Sequence, residues 1–135
     1  MSTVPLIQYD EAPADVQAVF DDIKQARNVA DVNNFWKALA NHPDLLRRTW
    51  TTLHEVMQPG ALDRLTKELI YLAVSMTNNC EYCIHSHTAA AKANGMSGSQ
   101  YQELLAVVAL AHQTNVLATA MQVPTDTHFR VEASG

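Results

Sequence analysis

The chain has 135 residues, 47% of them hydrophobic and 17% charged, which allows one real core and excludes a disordered polar tract. Its formal net charge is -5, and nine Lys and Arg are scattered with Arg47-Arg48 as their one adjacent pair, so no basic patch points to nucleic acid. The uninterrupted apolar runs are too short for a bilayer, and Met1 to Asp10 lacks the basic segment and apolar run of a secretory signal.

A cytoplasmic location without membrane contact is therefore expected. In that reducing compartment two cysteines suit catalysis, redox chemistry or metal binding better than a permanent disulfide.

Apolar residues recur at three and four along the chain, the helical period, between Pro and Gly positions that stop helices. A first helix is predicted over 13–27, with Val16, Val19, Phe20 and Ile23 on one stripe. A short second helix runs from Asn33 to Ala40. Pro43 opens a third, where its missing amide hydrogen does no harm, and that helix continues to about Met57 through Leu46, Trp50 and Leu53. The fourth, near 61–77, carries the cleanest seam: Leu62, Leu65, Leu69, Leu72 and Met76. Asn79 is expected to cap a fifth helix from Cys80 to Asn94, closed by Gly95. Another cap at Ser97-Gly98-Ser99 starts an Ala-rich helix over about 100–122, ending before Pro124. The reading is an all-α bundle of about six helices, one domain over 1–123 with a tail at 124–135. Trp36, Trp50, Phe20 and Phe35 are read as core or interface aromatics. Met57, Met76, Met96 and Met121 are read as gap-fillers, and His42, His54, His112 and His128 as bystanders.

One stretch carries chemistry: Cys80-Glu81-Tyr82-Cys83-Ile84-His85-Ser86-His87. At about 100° per residue, Cys80, Cys83 and His87 share an arc of about 60°, while His85 points elsewhere. The cysteines lie in a first turn, where unpaired N–H groups and the helix dipole favour an anion, so their thiol pKa is expected to fall. His87, one turn beyond Cys83, is placed to take its proton. Glu68 borders the apolar seam of the fourth helix, where partial desolvation is expected to raise its pKa towards proton-transfer use. The bland alternative for Glu68 is an i,i+4 ion pair with Arg64, and periodicity alone does not choose between them. A structural zinc site built from Cys80, Cys83, His87 and Glu68 is the rival reading of the cluster; a redox sensor without fast turnover is a third.

The order Glu68, eleven residues, Cys80, two residues, Cys83, three residues, His87 resembles the active-site signature of the alkylhydroperoxidase D-like, carboxymuconolactone decarboxylase superfamily. The flanking segments 35–43, 57–60 and 67–70 are similar too, and the likeness spans roughly residues 5–123. The resemblance implies an all-helical thiol peroxidase that reduces alkyl hydroperoxides without a cofactor or bound metal. It implies that Cys83 attacks the peroxide and Cys80 resolves the sulfenic acid to a disulfide, which a dithiol or protein reductant reopens. Glu68 and His87 would relay the proton. Some members carry a second His between the cysteines where this chain has Tyr82, which implies a shorter relay. Members with decarboxylase activity lack the cysteine pair. The family's trimers and hexamers imply a homo-oligomer.

Overall fold

The computed structural model describes residues 1–130. Among them the chain is all-α, with no strand: α1 (Ala14–Arg27), α2 (Asn34–Leu39), α3 (Pro43–Val56), α4 (Arg64–Thr77), α5 (Glu81–Ala93) and α6 (Gly98–Ala120). Short 3-10 turns lie at Tyr9–Glu11 and Thr127–Phe129. The second falls in the expected tail, whose residues 131–135 lie outside the described residues.

Side-chain caps decide where the helices begin. The Nδ1 of His42 accepts from the Leu45 amide in front of Pro43, which gives this expected bystander a structural task. Asp63 accepts from the Thr66 amide at 2.7 Å, so α4 starts three residues later than the apolar seam suggested. Ser97 and Gln100 form a reciprocal capping box, so α6 starts earlier than expected. Left-handed residues decide where helices stop: Asn28 after α1, Asn79 after α4, Gly95 after α5 and Gln122 after α6, all at positive φ.

The chain gathers into two compact units, Met1–Gln58 and the part from Pro59 onward. In the first, α3 packs against α1 and α2, and the core holds Val16, Phe20, Ile23, Trp36, Leu46 and Trp50. Trp36 and Trp50 meet edge to face with centroids 5.6 Å apart, and the Trp50 indole N–H donates to Asp22 at 2.6 Å. Lys37 is buried there because Asp31 at 2.6 Å and Gln8 at 2.9 Å satisfy its ammonium. Phe35, expected as a core or interface aromatic, lies exposed, with its ring edge to face on Trp36.

In the second unit α4 packs against α5 and α6. Its buried residues are Glu68, Leu72, Ser75, Ala91 and Met96. A carboxylate thus occupies the place of a core residue. No residue of α6 is buried, although Leu105, Val107, Leu110, Val116 and Leu117 are apolar and exposed. By length and composition this 23-residue helix is apolar enough to cross a membrane.

Candidate active site

The turn between α4 and α5 places the first cysteine through two backbone demands. The Asn79 amide donates to the Met76 carbonyl and the Cys80 amide to the Ser75 carbonyl, the paired bonds that close a helix on a left-handed residue. Cys80 then serves as N-cap of α5, its Sγ accepting from the Cys83 amide at 3.3 Å. Asn79 therefore terminates α4, and the cap of α5 is Cys80 itself, a correction to the sequence expectation. The amide of Cys80 finishes one helix and its sulfur starts the next. Both cysteines are half-buried free thiols.

Burial pushes the Cys83 thiol up to about 11, and the hydrogen bond with Cys80 and negative charge on Cys80 push in the same direction. The helix-start argument predicted a fall for the pair. Cys83 goes the other way because burial disfavours its thiolate most of all, and Cys80 shares its hydrogen bond and competes for the same charge.

Arg64, Glu68 and Tyr71 follow at i, i+4 and i+7 along α4 and so share a face. The Glu68 side chain is only 2% exposed. The Arg64 Nε donates to its Oε1 at 3.2 Å, and the His87 Nδ1 lies 2.7 Å from its Oε2. The ion pair with Arg64 and the contact with His87, posed as alternatives by the sequence, coexist on the two oxygens of one carboxylate. Desolvation drives the Glu68 pKa up, but the hydrogen bonds and charges of His87 and Arg64 outweigh it and leave the group below its ordinary value. The expected rise is thus corrected to a fall. An ionised carboxylate only accepts, so Nδ1 of His87 carries the proton, and in the neutral ring Nε2 is the acceptor nitrogen. This carboxylate–imidazole arrangement suits a general base.

Tyr71 was not anticipated. Its ring stacks on the His87 imidazole with centroids 3.7 Å apart and planes 21° from parallel. Burial raises its phenol pKa first, and negative charge at Cys83, Cys80 and Glu68 raises it further, so the ring lies in the field of both pairs. The available signal was its position three residues after Glu68 on the same helix face. Tyr82 and His85 are exposed. Among the described residues, no three His, Cys, Asp or Glu side chains stand together as metal ligands. The structure thus joins Glu68 to His87 and Cys80 to Cys83 directly; His87 stands one helical turn beyond Cys83.

A model of the carboxymuconolactone decarboxylase family matches residues 43–126, more than half of the chain. The chain belongs to this family. A relative named alkyl hydroperoxide reductase AhpD, from Anaeromyxobacter dehalogenans strain 2CP-1, is 31% identical over 116 residues, covering 78% of this chain and 59% of the relative. The chain thus spans about three fifths of that protein's length. An uncharacterized protein of the cox locus of Paracoccus denitrificans is 33% identical over 75 residues, half of this chain and 68% of its own. The crystal structure of the alkylhydroperoxidase AhpD core from Rhodospirillum rubrum superposes with a TM-score of 0.94 at 54% identity, covering 98% of this chain and 99% of that one. This carboxymuconolactone decarboxylase family member therefore has the AhpD-core fold, with the segment around Phe35 included in the superposed length though it precedes the family match.

Proposed function

We propose that the protein is a thiol-dependent peroxidase that reduces alkyl hydroperoxides through Cys83 and Cys80. The observation that carries this reading is the 2.7 Å contact of His87 with the buried Glu68 carboxylate, one helical turn from a reduced cysteine pair. The names of the related hydroperoxide reductases support it. Cys83, held protonated at rest, gives its proton to Nε2 of His87, directly or through water, as the sulfur attacks. The thiolate forms an S–O bond to the distal peroxide oxygen while the O–O bond breaks. The departing alkoxide takes a proton and leaves as alcohol, and Cys83 becomes a sulfenic acid. Cys80 then attacks that sulfur, water departs, and a disulfide remains. A dithiol or protein reductant returns two electrons and two protons. Glu68 keeps Nδ1 protonated and offsets the positive charge that His87 acquires.

The elevated Cys83 pKa also favours a second reading, a redox sensor whose thiols oxidise without fast turnover. Peroxide consumption with several dithiol donors, compared with a Cys83→Ser variant, separates the two. Steady turnover that the variant abolishes supports the peroxidase; stoichiometric oxidation without turnover supports the sensor.

Two partner proposals accompany this reading. The exposed apolar side chains of α6 form a contact between copies of the chain, in a trimer or hexamer. The polar run His112-Gln113-Thr114-Asn115 at mid-helix weighs against a membrane, where such residues cost several kcal/mol together, roughly. The need for reduced thiols fits the cytoplasm.

A further inference from the structure

The imidazole of His87 hangs from a two-fold torsion that is intrinsically soft, so a single hydrogen bond to Glu68 does not by itself hold the ring plane. Rotation of half a turn would exchange Nδ1 for a carbon at the carboxylate and swing Nε2 away from its working side. Something must oppose that rotation. The group placed to do so is Tyr71, flat against the imidazole at 3.7 Å and three residues beyond Glu68 on α4.

Both grips come from one rigid helix. Glu68 holds the ring by its edge and Tyr71 by its face, and i,i+3 spacing keeps the two in fixed relation. The carbonyl of Tyr71 accepts from the buried Ser75 hydroxyl at 2.8 Å, and the Ser75 carbonyl accepts from the amide of Cys80. The residue that faces the imidazole is thereby tied through Ser75 to the backbone that places the first cysteine.

We propose that Tyr71 is a positioning residue of this site, its ring stacked on His87 to lock the imidazole with Nδ1 on Glu68 and Nε2 available to the Cys83 thiol. The role belongs to the aromatic face and not to the hydroxyl. The proposal rests on the peroxidase reading only for its effect on turnover, because the ring's orientation is measurable without any peroxide.

Nitrogen-15 and proton NMR of the histidine-labelled full chain gives the first test. His87 should show the Nδ1–H tautomer alone, with ring protons shifted upfield by the stacked tyrosine. Random-coil proton positions in the wild-type protein, or an Nε2–H tautomer, would overturn the proposal before any variant is made. Tyr71→Phe should preserve this signature and the rate at which Cys83 is alkylated at neutral pH. Tyr71→Leu should yield mixed tautomers and slow both alkylation and peroxide turnover by about 10-fold or more, as expected when a catalytic group loses its orientation. A Leu variant that keeps the wild-type tautomer and alkylation rate sinks the idea; so does a Phe variant that loses them, which would assign the role to the hydroxyl. Should no form of the protein consume peroxide, the NMR and alkylation results still decide the matter for Tyr71 while the peroxidase reading fails alone.

Discussion

Glu68 Oε2 and His87 Nδ1 lie 2.7 Å apart across the α4–α5 packing, and the carboxylate is 1% exposed as a residue. A buried carboxylate is stable only when its oxygens are satisfied, and here Arg64 takes one and His87 the other. The same two bonds keep it ionised and fix which nitrogen of His87 is free. Replacement by Gln keeps the shape and removes the charge. Glu68→Gln should lower peroxidase turnover by roughly 10²–10⁴-fold, the range for a lost acid–base device. Its fold should survive, shifting by about 1–2 kcal/mol as an ordinary single substitution does. Steady-state rates beside thermal melts check this; full activity in the Gln variant would remove Glu68 from the mechanism.

Acid stability follows from the same group. Because the folded Glu68 pKa is depressed from 4.5, its contribution is complete above that value and is lost as pH falls through the folded one. The wild-type melting temperature should therefore drop below about pH 5 more steeply than that of Glu68→Gln. Parallel curves for the two proteins would mean that the carboxylate is not held ionised by Arg64 and His87.

The Cys83 thiol carries the opposite sign. Its pKa, raised from 9.0 to about 11, means that folding favours the neutral thiol, a contribution present below pH 9 and lost as pH climbs through 11. Its alkylation rate without peroxide should rise roughly tenfold per pH unit from neutrality towards that value, since only the thiolate reacts. A plateau reached near pH 7 would show a thiolate already formed at rest.

Oxidation tests the pair together. Cys80 and Cys83 begin one helix, with the Cys83 amide on the Cys80 sulfur at 3.3 Å. Mild peroxide treatment should remove two hydrogens from the chain's mass, with no link between chains, and a dithiol should restore them. Thiols that stay freely alkylatable after treatment would defeat the redox assignment.

Much of this was legible in the sequence, and the losses have physical causes. Spacing alone placed Glu68 at the edge of the α4 seam and His87 one turn beyond Cys83, because helical periodicity is a local property. Phe20 and Trp50 lay on periodic stripes and are buried; Trp36 and Phe35 were read as core or interface aromatics only for want of a polar partner, and of these Trp36 is buried while Phe35 is exposed. The sign of two pKa shifts did not follow. Periodicity sees that Cys83 is in a first turn and that Glu68 borders an apolar stripe, but not how deep either sits or which partners reach it. Glu68 falls because two donors meet it, one of them from another helix; Cys83 rises because burial disfavours its thiolate and Cys80 adds a hydrogen bond and a like charge in the same sense. Tyr71 escaped notice because its place on the Glu68 face of α4 does not tell which ring of another helix it meets. The boundaries of α4 and α6 moved because single side chains, Asp63 and Ser97, overrode the apolar pattern.

Assembly gives the last prediction. No residue of α6 is buried, while Val107 and Leu110 are 64% and 60% exposed. This much exposed apolar surface along a 23-residue helix is of the kind that marks a contact surface. In an isolated chain Leu110→Glu would change little, since substitutions at exposed positions usually stay within about 0.5 kcal/mol. In an oligomer sealed by α6 it would bury a charge against a partner's apolar face, which costs far more. Light scattering should therefore report a wild-type mass that is a multiple of 14.9 kDa, and Leu110→Glu should reduce it while helix content in circular dichroism is kept. A wild-type protein already at 14.9 kDa at micromolar concentration would end the oligomer proposal. An oligomer indifferent to Leu110→Glu and Val107→Glu would move the contact away from α6.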